Sequence, residues 1–575
     1  MVKFSIDKPT PFFADAIFIF LLCTLIYGLT HFGQQWKSSY NPNYEIDLSF
    51  FALPLYALFS ALRGLIAYGI SLFFTIAVGY WAAKSPKAER IILPFLDIMQ
   101  SIPVLGFLPG LVLGLVALFP KTNVGLEMSA IIMIFTGQVW NMTFAFYSSL
   151  KSVPTDLKEA SSVMGLSSFE KLKLLELPFS AMSLTWNSVM SMAGGWFFLT
   201  VCEAFTLGGR EYRLPGLGAY MAVAIEKGET PPIIGGIVAM AIIIILFDAL
   251  LWRPALAWAH GFRLEEDNRN QRIEEPLIQL LIKESFVMKI FRSIKFHSVY
   301  NKKTNPRSFS SIGKILDFRI LKLTEKSYRI LLRLFYLGAL VAVIYGTVRL
   351  TDSLGALNLQ AWVEILRDTG FTLLRVLAAT VISTLWALPF GIWVTQSASR
   401  LRIVQPIVQM MASFPAPMLY PLVISVFLFL NINFEISAML LMLLGVQWYI
   451  LFNVIAGALR VPQELKLSMQ LMQANRRSMW RYLYIPSVFP SLVTGWITAA
   501  GGAWNASIVS ELITYKGQIL EAHGLGAEIS HAAASGEFPR LAACLLVMVL
   551  VVVVLNRTVW AKIYYLAQTR FRLDL

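Results

Sequence analysis

Twelve runs of apolar residues, each long enough to cross a bilayer, follow one another along this 575-residue chain. A transmembrane helix needs roughly 20 largely apolar residues to span the hydrocarbon core. The runs lie at about 11–32, 63–83, 93–119, 126–150, 179–202 and 232–258, with a short amphipathic lead-in near 50–62. A second set follows at about 330–350, 370–396, 406–430, 434–458, 488–510 and 539–565. With 57% of residues hydrophobic and only 14% charged, an ordinary soluble protein is excluded.

The two sets are copies of each other. A shift of 312 pairs Arg63 with Arg375, Ser71 with Ser383, Gly79 with Gly391, Pro103 with Pro415 and Pro109 with Pro421. A shift of 308 then pairs Trp140 with Trp448, Val153-Pro154 with Val461-Pro462, Pro178 with Pro486 and Trp196 with Trp504. The same shift pairs Glu203 with Glu511 and Gly216-Leu217-Gly218 with Gly524-Leu525-Gly526, so one four-residue deletion reconciles the two registers. Because each copy has an even number of spans, the repeat is parallel, and the halves face each other across an axis along the membrane normal. A pathway between them is the natural expectation.

Charge fixes the expected topology. Residues 261–330 hold 15 Lys or Arg and 8 Asp or Glu, too many for a membrane segment. The short loops at 84–90, 151–162 and 397–402 and the C-terminal tail are also basic and fall on the same side. By the positive-inside rule that side is cytoplasmic. Both termini are then expected inside, with loops 203–231 and 511–538 outside. The net charge of +14 thus reads as cytoplasmic loop charge, not as a nucleic-acid surface. Cys23, Cys202 and Cys544 lie far apart in apolar runs, which argues against disulfides and a zinc site. The N-terminal apolar stretch lacks a clear small-residue cleavage site and reads as a first membrane helix.

The most informative segment is VPTDLKEASSVMGLSSFEKLKLLELP, residues 153–178. Pro154 suits a helix start, Gly165 the left-handed turn that ends one, and Ser167 with Glu170 a capping box for the next. A helix-turn-helix closed by Leu177-Pro178 is predicted. Its Glu159-Ala160-Ser161, three residues, Gly165, nine residues and Leu175-Glu176-Leu177-Pro178 resemble the EAA loop of ABC-importer permeases. The resemblance implies a coupling helix that docks on a cytoplasmic ATPase, with Glu159, Ala160 and Gly165 as the positions carried over. The second copy, residues 461–486, keeps the length but not the letters: Glu464 follows Pro462, Leu467-Ser468 replace Glu-Ala, and Gln473 replaces Gly165. Asn475 stands where Ser167 stood, Arg476, Arg477 and Arg481 make the copy more basic, and Pro486 closes it. A non-glycine at the left-handed position is expected to cost about 1 kcal/mol or to extend the first helix.

The resemblance covers nearly the whole chain outside the N-terminal helix and the linker. Within the permeases, the small-residue helices with Glu203 and Glu511 ahead of the Gly-Leu-Gly turns look like the nitrate, sulfonate, taurine and bicarbonate branch. The implied fold is an all-α polytopic membrane protein of about twelve transmembrane helices, in two parallel six-helix repeats of the type I ABC importer (MetI-like) permease. Residues 1–260 form the first half with its coupling loop at 153–178, 261–329 a charged cytoplasmic linker, and 330–575 the second half with its loop at 461–486. The implied activity is import of a small solute across a bacterial inner membrane by alternating access, an oxyanion or organic sulfonate being the class that branch suggests. No GxxxxGK[ST] phosphate loop occurs, so ATP and Mg are expected on partner subunits. The implied partners are a cytoplasmic ATPase dimer, an extracytoplasmic solute-binding protein and membrane lipid. The alternative is a secondary transporter of the major facilitator type, which shares twelve spans and a charged central linker, although the loop after span two, KSPKAER, lacks that superfamily's pattern.

Pathway candidates are fewer. Arg63 and Arg375 begin the second span of each half, and Glu203 and Glu511 end the fifth, so all four are expected near the outer interface. They make either an ion pair within each half or a gate at the outer mouth. Trp196 and Trp504, beside Gly194-Gly195 and Gly501-Gly502, suit close helix packing. Asn505 is a polar intramembrane residue where the first half has Phe197. Pro103, Pro109, Pro415 and Pro421 are placed to kink the third spans. His523 and His531 with Glu521 and Glu528 match no metal-ligand spacing.

Overall fold

The computed structural model describes residues 27–262 except 102, residues 337, 338 and 341, and residues 344–571. Most of the expected spans at 11–32 and 330–350, and almost all of the linker at 261–329, lie outside the described residues. The described residues form two units. The smaller holds 27–30, 148–186, 246–262 and the described part of 337–356; the larger holds 31–147, 187–245 and 357–571.

In the first half, α1 (Leu53–Lys84) and α2 (Pro86–Ser101) precede a tight turn (Val104–Phe107), α3 (Leu108–Leu118) and α4 (Val124–Lys151). The short helices α5 (Thr155–Val163) and α6 (Ser168–Lys171) lead to α7 (Leu177–Cys202), β1 (Ala204–Leu207) and β2 (Arg210–Arg213). Then come α8 (Leu217–Lys227), α9 (Thr230–Phe247) and α10 (Arg253–His260). The second half repeats the series as α11 (Leu359–Thr395), α12 (Ala398–Ser413), α13 (Ala416–Phe429) and α14 (Phe434–Leu459). After α15 (Gln463–Leu471) and α16 (Arg476–Ser478) follow α17 (Ile485–Ser510), β3 (Leu512–Tyr515) and β4 (Gln518–Glu521). The half ends with α18 (Leu525–Ser535), α19 (Phe538–Leu555) and α20 (Ala561–Arg570). Wide π-helical turns recur at equivalent places, Leu172–Glu176 with Met479–Tyr484 and Asp248–Trp252 with Asn556–Trp560.

Among the described residues, seven continuous helices are long and apolar enough to cross a membrane, and the α12–α13 pair brings the number to eight. The expected single spans at 93–119 and 406–430 are corrected: each is broken. The bend between α12 and α13 is 88°. A proline lacks the N–H that would continue a helix and drives the residue before it out of helical geometry. Accordingly Phe414 is extended (φ −76°, ψ 126°) ahead of Pro415, and Pro103 is itself extended (φ −64°, ψ 108°). Pro109 sits in the first turn of α3, where its missing N–H costs nothing, while Pro421 lies inside α13. The lead-in near 50–62 is also corrected: from Leu53 it is the beginning of α1 itself.

The segments 203–231 and 511–538 are more ordered than loops. Each forms a two-stranded hairpin followed by a short helix. Both hairpins turn through two left-handed residues, Gly208-Gly209 (φ 58° and 72°) and Lys516-Gly517 (φ 51° and 72°). Such two-residue turns match the right-handed twist of the strands they join.

Candidate functional site

In the larger unit a cavity of about 170 Å³ lies between the two halves. It is lined by equivalent positions of the two repeats. Gly137 and Gly445, Trp140 and Trp448, and Gly194 and Gly502 face it as matched pairs. The broken helices contribute too, through Val104 on one side and Pro415-Ala416 on the other. Small residues keep the space open: a Cβ added at Gly502 would lie 3.2 Å from the Tyr449 ring. None of the lining residues carries a formal charge.

Among Arg63, Trp196, Glu203, Arg375, Trp504, Asn505 and Glu511, only Asn505 is in this lining, beside the Gly194, Gly501, Gly502 and Pro415 already singled out by the sequence. The Asn505 side-chain amide donates to the Gly501 carbonyl at 3.2 Å, and its oxygen accepts from the Leu105 N–H at 3.4 Å. The second half's α17 thereby caps the restarted helix of the first half. Trp196 and Trp504 are buried at 2% exposure and do not line the cavity. Trp504 borders a separate apolar pocket among α11, α17 and α19.

The charged candidates are drawn together inside each half. Arg63 is fully buried and donates to Glu203 at 2.7 Å. It also donates twice to Glu127 at 2.7 Å and once to the Pro215 carbonyl at 2.8 Å. Glu203 accepts further bonds from the Ser60 hydroxyl and the Gly218 N–H, both at 2.7 Å. The Gly-Leu-Gly turn is explained by this carboxylate, since a methyl group at Gly216 would collide with it. In the second half Arg375 bridges Glu435 and Glu511, the latter at 2.8 Å. Glu511 also accepts from Thr372 and from the Gly526 N–H, both at 2.8 Å.

Two of the carboxylates, Glu127 and Glu435, escaped the sequence reading, as did the hydroxyls Ser60 and Thr372. The repeat carried the signal: the shift of 308 pairs the two glutamates and the shift of 312 the two hydroxyls. The clusters are not identical. Glu127 is sealed, whereas the Glu435 side chain is 37% exposed and accepts from the backbone N–H of His523, whose Nδ1 lies 2.8 Å from it. His531 pairs instead with Glu521 at 3.1 Å.

Each hairpin tip reaches the other half. The Gly208 N–H donates to the Ala533 carbonyl at 3.0 Å, and the Lys516 N–H to the Ile225 carbonyl at 3.3 Å. These two bonds are equivalents under the shift of 308. A third, from the Gly209 N–H to the Ala534 carbonyl at 2.7 Å, adds to one side. The acceptors lie in the last turns of α8 and α18, where the Ile225 and Ala533 carbonyls also accept the N–H groups of the cap residues Gly228 and Gly536. The result is a reciprocal clasp between the halves.

The loops at 153–178 and 461–486 share one backbone design. In the smaller unit, Gly165 turns left-handed at φ 69° after α5, and Ser167 and Glu170 form a full capping box. The Ser167 backbone and hydroxyl both donate to Glu170 and hold its carboxyl below the usual range. Glu159 and Ala160 are exposed, while Leu177 and Pro178 open α7. In the larger unit, Gln473 adopts the left-handed turn at φ 51°, so α15 ends where α5 ends and is not extended. Asn475 accepts from the Ser478 N–H at 2.8 Å as the cap. Glu464 and Arg476 are exposed, and Pro486 lies in the first turn of α17. An apolar pair stands out at both tips, Val163-Met164 (89% and 75% exposed) and Leu471-Met472 (79% and 78%).

Comparison with known proteins places this architecture. Residues 75–251 and 387–568 both match the profile of the family described as binding-protein-dependent transport system inner membrane component. The chain is 26% identical over 190 residues to the glycine betaine/carnitine/choline transport system permease protein of Bacillus subtilis, covering 32% of this chain and 79% of that one. It is 26% identical, again over 190 residues, to that organism's choline transport system permease protein, with the same shares. Against the taurine transport system permease protein of Escherichia coli K12 it is 25% identical over 142 residues, covering 25% of this chain and 50% of the relative. Each relative thus aligns with about one copy's length, and the nitrate and bicarbonate permeases of the resemblance are not among these three. Matched over more than half of its length, the chain belongs to the ABC permease family of binding-protein-dependent transport system inner membrane components, which it contains in two copies.

Proposed function

We propose that this chain is the complete membrane pathway of an ATP-driven importer for a small solute. The observation that carries the reading is the cavity lined by equivalent positions of two permease copies on one polypeptide. In a parallel repeat, such positions surround the axis between the halves, where alternating access exposes a site to one side and then the other. ATP and Mg are held by a cytoplasmic ATPase dimer, and an extracytoplasmic binding protein delivers the solute, as the family description implies. The family match in both halves supports this over a major-facilitator carrier.

The loops at 153–178 and 461–486 are the ATPase contacts in this reading. Glu159, Ala160 and Gly165 shape the first, and Glu464, Gln473 and Arg476 the second. Exposed apolar pairs at both tips suit insertion into a groove, since exposed apolar side chains gain by leaving water. The reciprocal clasp of hairpins holds the halves together, and outward opening breaks it. The solute class widens from oxyanions and sulfonates to include the betaine and choline type carried by the relatives.

The test is reconstitution with the partner ATPase and binding protein in liposomes. Glu159→Lys, on an exposed surface, is expected to leave the chain inserted and abolish ATP-driven uptake. Unchanged uptake sinks the coupling assignment.

A further inference from the structure

The apolar pocket beside Trp504 is a slot of about 450 Å³ within the second half, walled by α11, α17, α19 and the π-helical turn that follows α19. All three helices are among those long and apolar enough to cross a membrane. Along α11 the lining runs from Leu373 to Leu385, about 18 Å of helix at 1.5 Å per residue, so the space is elongated. None of its described lining residues carries a charge. Its hydroxyls and the Trp496 indole are taken up within the wall: Thr380 donates to the Val376 carbonyl, Thr384 to the Thr380 carbonyl and the Trp496 N–H to Thr384, each at 2.8 Å. A polar ligand gains little there. Leu377, Val381, Leu385 and Val559 also line the slot and are 42–71% exposed, so it opens on the apolar outer surface of the spans, which faces lipid.

The repeat shows how such a space is closed from within. Thr380 and Ala500, on the buried side of the slot, are equivalent to Tyr68 and Met192 under the shifts of 312 and 308. In the first half the Tyr68 side chain bonds to Ser188, and the Met192 methyl lies against Gly64 beside Trp196, 3.1 Å from where a Cβ on Gly64 would stand. In the second half Trp496 takes the place of Ser188 but turns to Thr384, and the short side chains of Thr380 and Ala500 leave the buried side open. An apolar void stays dry, and its walls forgo the dispersion contacts that a filled site makes. Lipid tails are as apolar as leucine, so a tail that enters gives up no hydration and gains packing on all sides. Gly501 and Asn556 line both the slot and the central cavity, so the occupant of the slot stands behind the cavity wall.

We infer that the slot is a binding site for one acyl chain of a bilayer phospholipid, which fills in the second half the space that Tyr68 and Met192 fill in the first, and which backs the wall of the central cavity. The inference needs only that these helices cross a bilayer, and it holds whether or not ATP drives transport.

The chain is reconstituted in nanodiscs of phosphatidylethanolamine carrying a photoactivatable diazirine at the middle of one acyl chain, irradiated, digested and read by mass spectrometry. An adduct is expected at Thr380, which is 5% exposed and is reached by lipid only through the slot, as well as at Leu374, a control on the outer surface of α11 that is 65% exposed. Ala500→Met installs the first half's residue and fills the buried side. Val381→Trp blocks the mouth from a position 57% exposed, without repacking the interior. Loss of the Thr380 adduct in either variant, with Leu374 labelled as before, supports the site. A wild-type chain labelled at Leu374 but not at Thr380 overturns it, and leaves the chain's own apolar stretch at 330–350 as the candidate occupant. A Thr380 adduct undiminished in both variants overturns it too, because lipid then reaches that residue by another route.

Discussion

Replacing Glu203 by Gln separates a structural role from a gating one. The carboxylate is fully buried and accepts three bonds of 2.7 Å, from Ser60, Arg63 and the Gly218 N–H. Gln presents an N–H₂ where one of those donors points and leaves Arg63 with Glu127 alone to offset its charge. Breaking one side of a buried ion pair costs about 3–5 kcal/mol. The equivalent change, Glu511→Gln, removes the same kind of bonds, but Glu435 is 37% exposed and solvent already screens the Arg375 cluster. Its expected cost is about 1.5–3 kcal/mol, that of a charge-assisted hydrogen bond. Thermal unfolding in nanodiscs, followed by fluorescence-detected size exclusion, should therefore show a clearly larger loss for Glu203→Gln. Uptake per folded molecule should stay close to wild type in both. Unchanged thermal stability together with altered uptake would refute the strut argument and make these groups a gate.

Other consequences follow from single positions. Gln473→Gly relieves a left-handed non-glycine residue and should stabilise the second loop by about 1 kcal/mol, read as slower amide exchange across 463–475. Asn475→Ala removes the cap on Ser478 and should cost about 1 kcal/mol, with faster exchange at 476–478. Gly536→Ala adds a methyl at φ 79° and 3.2 Å from the Gly208 Cα, so it should loosen the clasp. Faster proteolysis of the 204–213 hairpin, with the rest of the chain intact, would register that loosening.

The repeat and most span positions were legible because hydropathy marks a buried helix whatever its neighbours are. The breaks at Pro103 and Pro415 were harder to see, since the apolar runs continue through them and a proline inside a membrane helix signals either a kink or a break. The hairpins at 204–213 and 512–521 hid in segments of four-residue strands, too short for an alternating pattern. Glu127 and Glu435 sit in the first turn of α4 and α14 and look like ordinary flanking charges until Arg63 and Arg375 are brought beside them. Asn505 announced itself as an amide inside an apolar helix. Asn141, also an amide inside an apolar helix, and Gln100 escaped notice, because which face of a helix meets a cavity is set by neighbours distant in sequence. The left-handed turn at Gln473 was visible only through its repeat partner Gly165, whose glycine explains the conformation that Gln473 also adopts.

The central claim is that one chain supplies both halves of an ATP-driven pathway, each with its own ATPase contact. Native mass spectrometry of the complex, extracted gently from its own membrane, tests it most directly. The account predicts one 64.5 kDa chain with two ATPase subunits, and ATP hydrolysis by that assembly. A chain that comes through without an ATPase, yet moves its solute on an ion gradient, would contradict it.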